Sequence, residues 1–323
     1  RPNDPSLWPT TRMEICRLEG PEPRQWSAAA VTVGNFDGVH LGHQALAAEV
    51  VAEARRAQGP AIVLTFDPHP SRILSPDRAP SALMTLEQKA EALRSLGIDR
   101  LAVLPFSLAL AQKTAEEFAQ DVVRRALGAR VVVVGANFRF GRHRAGDVAL
   151  PGDLGLKLGF AVRGRLPVLH QGAAVSSTRI REALARGEVE NARGMLGRPF
   201  FVEGRVVHGE GRGQSLGIPT ANLSPSNETL PGNGVYACRA TACDGGELSL
   251  PAVVNIGRKP TFGGSETTLE AHLLAFEGDL YGRRLRVTFE ARLREERRFA
   301  SAEDLVAQIR NDIAEVRRLL VSP

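Results

Sequence analysis

The 323-residue chain predicts an α/β domain built on a parallel sheet, followed by an antiparallel β-barrel or sandwich that ends in one helix. Two observations carry this expectation. From Val31 to about Val168, apolar runs alternate with stretches of helical spacing, the pattern of strands covered by helices on both faces. Past Gly187, strand-like runs follow one another with only Gly- and Pro-rich turns between them, which suits antiparallel strands.

In the first half, Ala29–Val33 is an apolar run rich in β-branched residues, and Leu46 and Val50 begin a helical spacing after it. Further strands are expected over Ala61–Phe66, Leu101–Phe106, Val131–Val134 and Phe160–Val168, with helices between them. Two of those helices start at capping boxes, Thr85-Leu86-Glu87-Gln88 and Thr114-Ala115-Glu116-Glu117. A short helical stretch then ends near Leu196, before Gly197-Arg198-Pro199. Strands are expected over Phe200–His208, Gly234–Thr241, Ala252–Ile256, Thr268–Leu274 and Leu285–Leu293. Ser301-Ala302-Glu303-Asp304 opens a final helix running to about Leu320.

Composition narrows the class. Hydrophobic residues make up 43% of the chain and charged residues 24%, as in ordinary soluble proteins. A net charge of +5 raises nucleic acid as a partner, but the Lys and Arg residues are dispersed and aromatics are only 5%, so no nucleic-acid surface is expected. A mildly basic surface suits anionic substrates equally well. Three cysteines, Cys16, Cys238 and Cys243, form no framework, which points to a reducing, cytoplasmic setting. No stretch has membrane-spanning length, so no membrane partner is expected, and the oligomeric state, a homo-oligomer included, stays open.

Two segments carry the chemistry of the first half. In Gly34-Asn35-Phe36-Asp37-Gly38-Val39-His40-Leu41-Gly42-His43, a strand gives way to a helix, so His40 and His43 stand at a helix N-terminus, which attracts anions. Glycines at 34, 38 and 42 allow close backbone approach to a ligand. In Ser176-Ser177-Thr178-Arg179-Ile180-Arg181, Ser176 or Ser177 reads as an N-cap with two guanidinium groups close by. Taken singly, either segment could be plain capping, and the His pair could be a surface pair or metal ligands. Ligands of a parallel sheet collect beyond the strands' carboxyl ends, where Asp67-Pro68-His69-Pro70 and Gly135–Gly141 also lie.

In the second half, His208-Gly209-Glu210-Gly211-Arg212-Gly213 is a glycine-rich loop able to wrap phosphates through its amides. Thr220 and Asn222, two apart, face one side if extended, and their oxygens suit Mg²⁺. A glycine-rich hairpin explains the same residues. Glu270 lies two positions before His272 in a strand, as a solvated residue or a general base.

Together these motifs resemble a known family. His-x-Gly-His after Asn-Phe-Asp-Gly-Val, joined by Ser-Ser-Thr-x-x-Arg, resembles the nucleotidylyltransferases. Leu216–Asn222, Pro231–Tyr236, Asn255–Phe262, Leu269–Leu273, Asp279–Gly282 and Arg292–Phe299 resemble the riboflavin kinase domain in content and order. The whole resembles the bifunctional bacterial riboflavin kinase and FMN adenylyltransferases, often called FAD synthetases.

That resemblance implies a Rossmann-like nucleotidylyltransferase domain over residues 14–188 and a six-stranded β-barrel riboflavin kinase domain with a C-terminal helix over 189–323. It implies riboflavin, ATP, FMN and FAD as substrates and products, with Mg²⁺ as cofactor. By resemblance, His40 and His43 serve adenylyl transfer, with Gly34, Asn35, Phe36, Asp37, Gly38, Asn137, Ser176, Ser177, Thr178 and Arg181 holding nucleotide. Glu270 is then the kinase base, Thr220 and Asn222 hold the metal, and Gly209, Gly211, Gly213, Asn255 and Arg298 bind ATP or flavin. Two positions depart from the family pattern: Asn137 stands where Asp is frequent, and Asp67 where Glu is frequent. The alternative is a single-function nucleotidylyltransferase whose barrel senses flavin.

Overall fold

The computed structural model describes residues 13–19, 26–135, 149–209, 217–244, 248–261 and 264–321; Asn137, Gly211 and Gly213 lie outside them. The chain forms two compact units. The first runs to Pro80 and resumes over Leu86–Val175, and the second comprises Ser81–Thr85 and everything from Ser176 onward.

The first unit is a six-stranded parallel sheet. Its strands are β1 (Glu14–Arg17), β2 (Ala29–Val33), β3 (Ala61–Asp67), β4 (Arg100–Pro105), β5 (Ala129–Gly135) and β6 (Ala161–Arg165), in the order β1-β4-β3-β2-β5-β6. All five residues of β2 and the first five of β3 are buried, as expected of strands covered on both faces. Helix α1 (Leu41–Ala57) packs on β2, β3 and β5 through Ala47, Val50 and Ala54. Phe118, Val122, Leu127 and Leu154 share a core with Val31, Val33, Ile62 and Leu64. They come from α4 (Leu108–Gln112) to α6 (Ala149–Leu158): after α4, helix α5 (Ala115–Phe118) runs into a π-helical stretch, Ala119–Ala126, and α6 precedes β6.

The Thr114 capping box forms as expected, with Thr114 Oγ1 accepting from the Glu117 amide at 3.1 Å and the Glu117 carboxylate accepting from the Thr114 amide at 2.8 Å. One expectation needs correcting, and one strand was not expected. The run Phe160–Val168 forms only the short β6, whose largely exposed face offers little burial to extend it, and β1 joins β4 at an edge from a segment too short and polar to read as a strand. Between them, α2 (Pro70–Leu74) and α3 (Leu86–Ser95) connect β3 to β4, and a small hairpin of β7 (Leu169–His170) and β8 (Ala173–Ala174) closes the unit. The strand order reverses between β2 and β5, the place where ligands of open α/β sheets collect.

The second unit is a closed antiparallel barrel. It consists of β9 (Phe200–Val207), β10 (Ala221–Pro225), β11 (Gly234–Ala242), β12 (Ser249–Thr261), β13 (Gly264–Leu273) and β14 (Arg284–Arg294), closed in the order β10-β13-β12-β11-β14-β9. Helices α7 (Ser177–Ala185) and α8 (Val189–Leu196) precede it, and α8 packs on β14 and β9. Tyr236, Cys238 and Phe289 are fully buried inside, and burial pushes the Tyr236 phenol up to about 12. Ser301 caps the final helix α9 (Ala302–Leu320), as expected, by accepting from the Asp304 amide at 3.1 Å. Asp312 of α9 is 4% exposed and bound by the Arg294 guanidinium at 2.9 Å, so removing the arginine would strand a buried carboxylate at a cost of about 3–5 kcal/mol.

Ser81–Thr85 docks into this unit. The Ala82 amide donates to the Glu228 carboxylate at 2.8 Å, the Thr229 amide donates to the Ala82 carbonyl at 3.1 Å, and Leu83 is 2% exposed.

Candidate active sites

In the first unit, the buried β2 delivers the chain to a compact turn at the sheet's carboxyl edge. Phe36, Gly38 and Val39 have φ of 49°, 85° and 41°, so the backbone passes through the left-handed region, where a β-branched residue such as Val39 is under strain. That turn folds the chain back so that His40 becomes the N-cap of α1. Its Nδ1 accepts from the His43 amide at 3.4 Å, which leaves the proton of the neutral ring on Nε2.

The His40 and His43 rings stack with centroids 3.6 Å apart, and the buried Phe36 ring lies 4.7 Å from His43. A Cβ on Gly42 would come within 3.1 Å of the His40 ring, and one on Gly34 within 3.3 Å of Phe36, so both positions keep the rings close to the backbone. His43 Nδ1 is buried with no partner among the described residues. Burial, then the neighbouring His40 and Lys89, hold the His43 imidazole well below its ordinary pKa of 6.5. A neutral imidazole with an uncommitted nitrogen is a polar group poised to meet a ligand.

Asn35 is gripped from both ends. Its carbonyl accepts from Lys89 Nζ of α3 at 2.8 Å and from Thr65 Oγ1 of β3 at 3.1 Å. Its side-chain amide lies 2.8 Å from His69 Nε2. His69 Nδ1 accepts from the Ser71 amide at 3.2 Å, so the neutral ring carries its proton on Nε2, the atom that faces the Asn35 side chain. Asp37 is 6% exposed, and burial lowers the Lys89 amine while Asp37 and Asp67 oppose that shift. Sequence reasoning missed Thr65, His69 and Lys89 as members of this site. His69 stood in a segment already noted at a strand end, whereas Lys89 and Thr65 show no local signal.

Ser176 is the N-cap of α7, with Oγ accepting from the Arg179 amide at 3.3 Å. Ser177 and Thr178 follow in the first turn, and Arg181 Nε donates to the Ser81 carbonyl at 2.6 Å. These residues belong to the second unit and the His pair to the first.

The barrel carries its own cluster. Register places Glu270 directly opposite Asn222 on one side and Asn255 on the other. Directly paired residues share a face, so three strands present amide, carboxylate and amide in a row. Leu269 and Ala271 flank Glu270 and are buried, which turns the row to the outer face of the barrel. Thr220 lies just before β10, and His272, on the Glu270 face, holds the preceding Pro219 carbonyl at 2.8 Å from Nδ1. A Cβ on Gly209 would fall 2.0 Å from the Asn222 amide nitrogen, so the start of the glycine-rich loop lies directly against the row. His208 stacks on Tyr281 at 3.9 Å. Arg298 is exposed on the segment after β14.

Comparison with known proteins follows this division. Residues 22–179 match the family model described as FAD synthetase, and residues 196–320 the one described as riboflavin kinase. A bifunctional riboflavin kinase/FMN adenylyltransferase from Escherichia coli (strain K12) is 39% identical over 282 residues, covering 87% of this chain and 90% of that protein. One of the same name from Pseudomonas fluorescens is 42% identical over 289 residues, covering 89% and 92%. A crystal structure from Streptococcus pneumoniae described as a macrolide-efflux protein superposes with a TM-score of 0.86 at 29% identity, covering 94% of this chain and 99% of that one. Among the described residues no helix is long and apolar enough to cross a membrane. With both halves matched in order and relatives aligned over nearly their full length, the chain belongs to the family of bifunctional riboflavin kinase/FMN adenylyltransferases.

Proposed function

We propose that the barrel phosphorylates riboflavin to FMN and the parallel-sheet unit adenylylates FMN to FAD, with residues 189–323 forming the kinase module and 14–188 the adenylyltransferase module. The chain is thus a transferase that acts twice along one route. The observation that carries the residue assignment is the row Asn222–Glu270–Asn255, which sets one carboxylate between two amides beside the glycine-rich loop.

In the kinase step the 5′-hydroxyl of riboflavin attacks the γ-phosphorus of ATP, Glu270 takes the hydroxyl proton, and ADP leaves. The hydroxyl of Thr220 and the amide oxygen of Asn222 are hard donors from one strand edge, with Gly209 leaving room beside Asn222, and this set fits Mg²⁺ shared with phosphate oxygens. When bound, the ion neutralises phosphate charge. Asn255 stands opposite Glu270 on its far side and, with Gly209, Gly211, Gly213 and Arg298, completes the nucleotide and flavin contacts.

In the adenylyl step an FMN phosphate oxygen attacks the α-phosphorus of a second ATP, and pyrophosphate leaves. No protein nucleophile is needed, because the phosphate already carries the negative charge. His40 and His43 donate to the α-phosphate oxygens as charge builds there. Gly34, Asn35, Phe36, Asp37 and Gly38 shape the turn, Asn137 contacts phosphate, and Ser176, Ser177, Thr178 and Arg181 hold the departing phosphates. A cytoplasmic setting is supported by the three free cysteines, and the dispersed positive charge argues against nucleic acid as a partner.

Incubation of the pure protein with riboflavin, ATP and MgCl₂, followed by separation of the flavins, tests this reading. FMN should appear first and FAD after it. Formation of FAD from supplied FMN without any FMN from riboflavin would leave the barrel as a flavin sensor and overturn the kinase assignment.

A further inference from the structure

Lys89 lies on α3 between the buried Gln88 and Ala90, half-buried as a residue with its amine turned inward, where packing alone has no use for a charge. Burial lowers its pKa, so the fold bears a cost for keeping it that a methionine of similar reach would avoid. Its hydrogen bonds explain what is gained. Lys89 Nζ donates to the Asn35 carbonyl at 2.8 Å and to Thr65 Oγ1 at 3.3 Å, while Thr65 Oγ1 donates to the same carbonyl at 3.1 Å. The three groups close a triangle that uses both lone pairs of the Asn35 carbonyl.

Asn35 immediately precedes Phe36, the first of the left-handed residues that turn the chain toward His40. The peptide of Asn35 is therefore the hinge pin of that turn. The His69 contact fixes its side chain and the Lys89–Thr65 pair fixes its backbone. Phe36 in turn packs against His43, so a displaced Asn35 peptide would carry both ring positions with it.

We propose that Lys89 is a positioning residue for adenylyl transfer: through the Asn35 carbonyl it sets the Gly34–His40 turn, and through that turn the place of His43 relative to the reacting phosphate. This rests on the reading of His40 and His43 as the adenylyl-transfer site.

A double-mutant cycle in the full-length protein tests it, with Lys89→Met, His43→Ala and the pair measured for FMN-to-FAD conversion over ranges of ATP and FMN. Riboflavin phosphorylation in the same samples and the thermal transition report folding. Lys89→Met should lower kcat for FAD formation by about tenfold to a hundredfold, the scale of a misplacement near 1 Å, with a much smaller change in KM for ATP. In the His43→Ala background the same substitution should cost less than about threefold, because the group it positions is gone. Losses that multiply in the double variant, or normal FAD formation by Lys89→Met, would overturn the proposal. Normal FAD formation by His43→Ala alone would instead remove the site reading beneath it. If Lys89→Met does not fold, Thr65→Val, which keeps the shape and the amine but opens the triangle, replaces it in the cycle: a loss of several-fold that disappears beside His43→Ala supports the proposal, and an additive loss overturns it.

Discussion

Glu270 and His43 do opposite things with a proton, and that difference makes them separable by substitution. In Glu270→Gln the amide keeps the shape of the row with Asn222 and Asn255 but cannot take the hydroxyl proton. Riboflavin phosphorylation should fall by about a hundredfold to ten-thousandfold while FAD formation from supplied FMN continues, as steady-state rates for each reaction would record. His43→Ala should do the reverse, lowering FAD formation by about a hundredfold to a thousandfold and sparing FMN formation. His43 also has a pH signature. Its imidazole is held well below 6.5 in the fold, so the unfolded chain binds the proton more readily. The stability tied to this group is complete above its unfolded pKa of 6.5 and is lost as pH falls below that value. Melting temperatures measured from about pH 7.5 to about pH 5.5 should therefore fall more steeply for the wild type than for His43→Asn. The two histidines and Glu270 were legible in the sequence because each stood in a dense local motif. Lys89 and Thr65 were not, because their meaning is one carbonyl on another element, and no spacing along the chain encodes that partner.

Among the elements, the glycine-rich loop and β10 depend on each other. Gly209 lies so close to Asn222 that a methyl group at 209 would overlap the amide. Gly209→Ala should then displace Asn222 from its place beside Glu270 and slow riboflavin phosphorylation by about tenfold or more, leaving FAD formation from FMN unchanged when both are assayed in one preparation. Strands with long apolar or alternating runs, β2 to β5 and β11 to β14, were readable because burial on one or both faces writes itself into the side-chain period. β10 was visible only as a Thr/Asn pair with an extended backbone as a condition, since its pairing to β13 and β9 is what makes it a strand. β1 stayed hidden for the same reason at the edge of the first sheet. The Thr114 capping box and the Ser301 cap mark helix starts through local hydrogen bonds, so they transferred to the structure directly.

At the scale of the molecule, two cores were expected from length and pattern, and two compact units form. Because the barrel closes entirely within β9–β14, residues 189–323 alone should fold and make FMN. A fragment starting at Ser176 should melt higher, because it keeps the buried Ile180 and Leu184 of α7 against α8; calorimetry of the two fragments would compare them. Nothing along the chain hints that Ser81–Thr85 belongs with the barrel, since its partners lie far downstream. That displacement has a consequence for biosynthesis. The Ala82–Glu228 bond spans 146 residues, so Ser81–Thr85 leaves the ribosome well before its docking surface exists, by roughly 7–30 s at ordinary translation rates. During that interval the nascent chain can form β2, β3 and α1, but the segment between Pro80 and Leu86 has nothing to hold it. The first-made half of the protein thus reaches its finished state only when the last-made half has emerged, and a stalled or truncated product would display an unsheltered Leu83 to the chaperones that survey new chains.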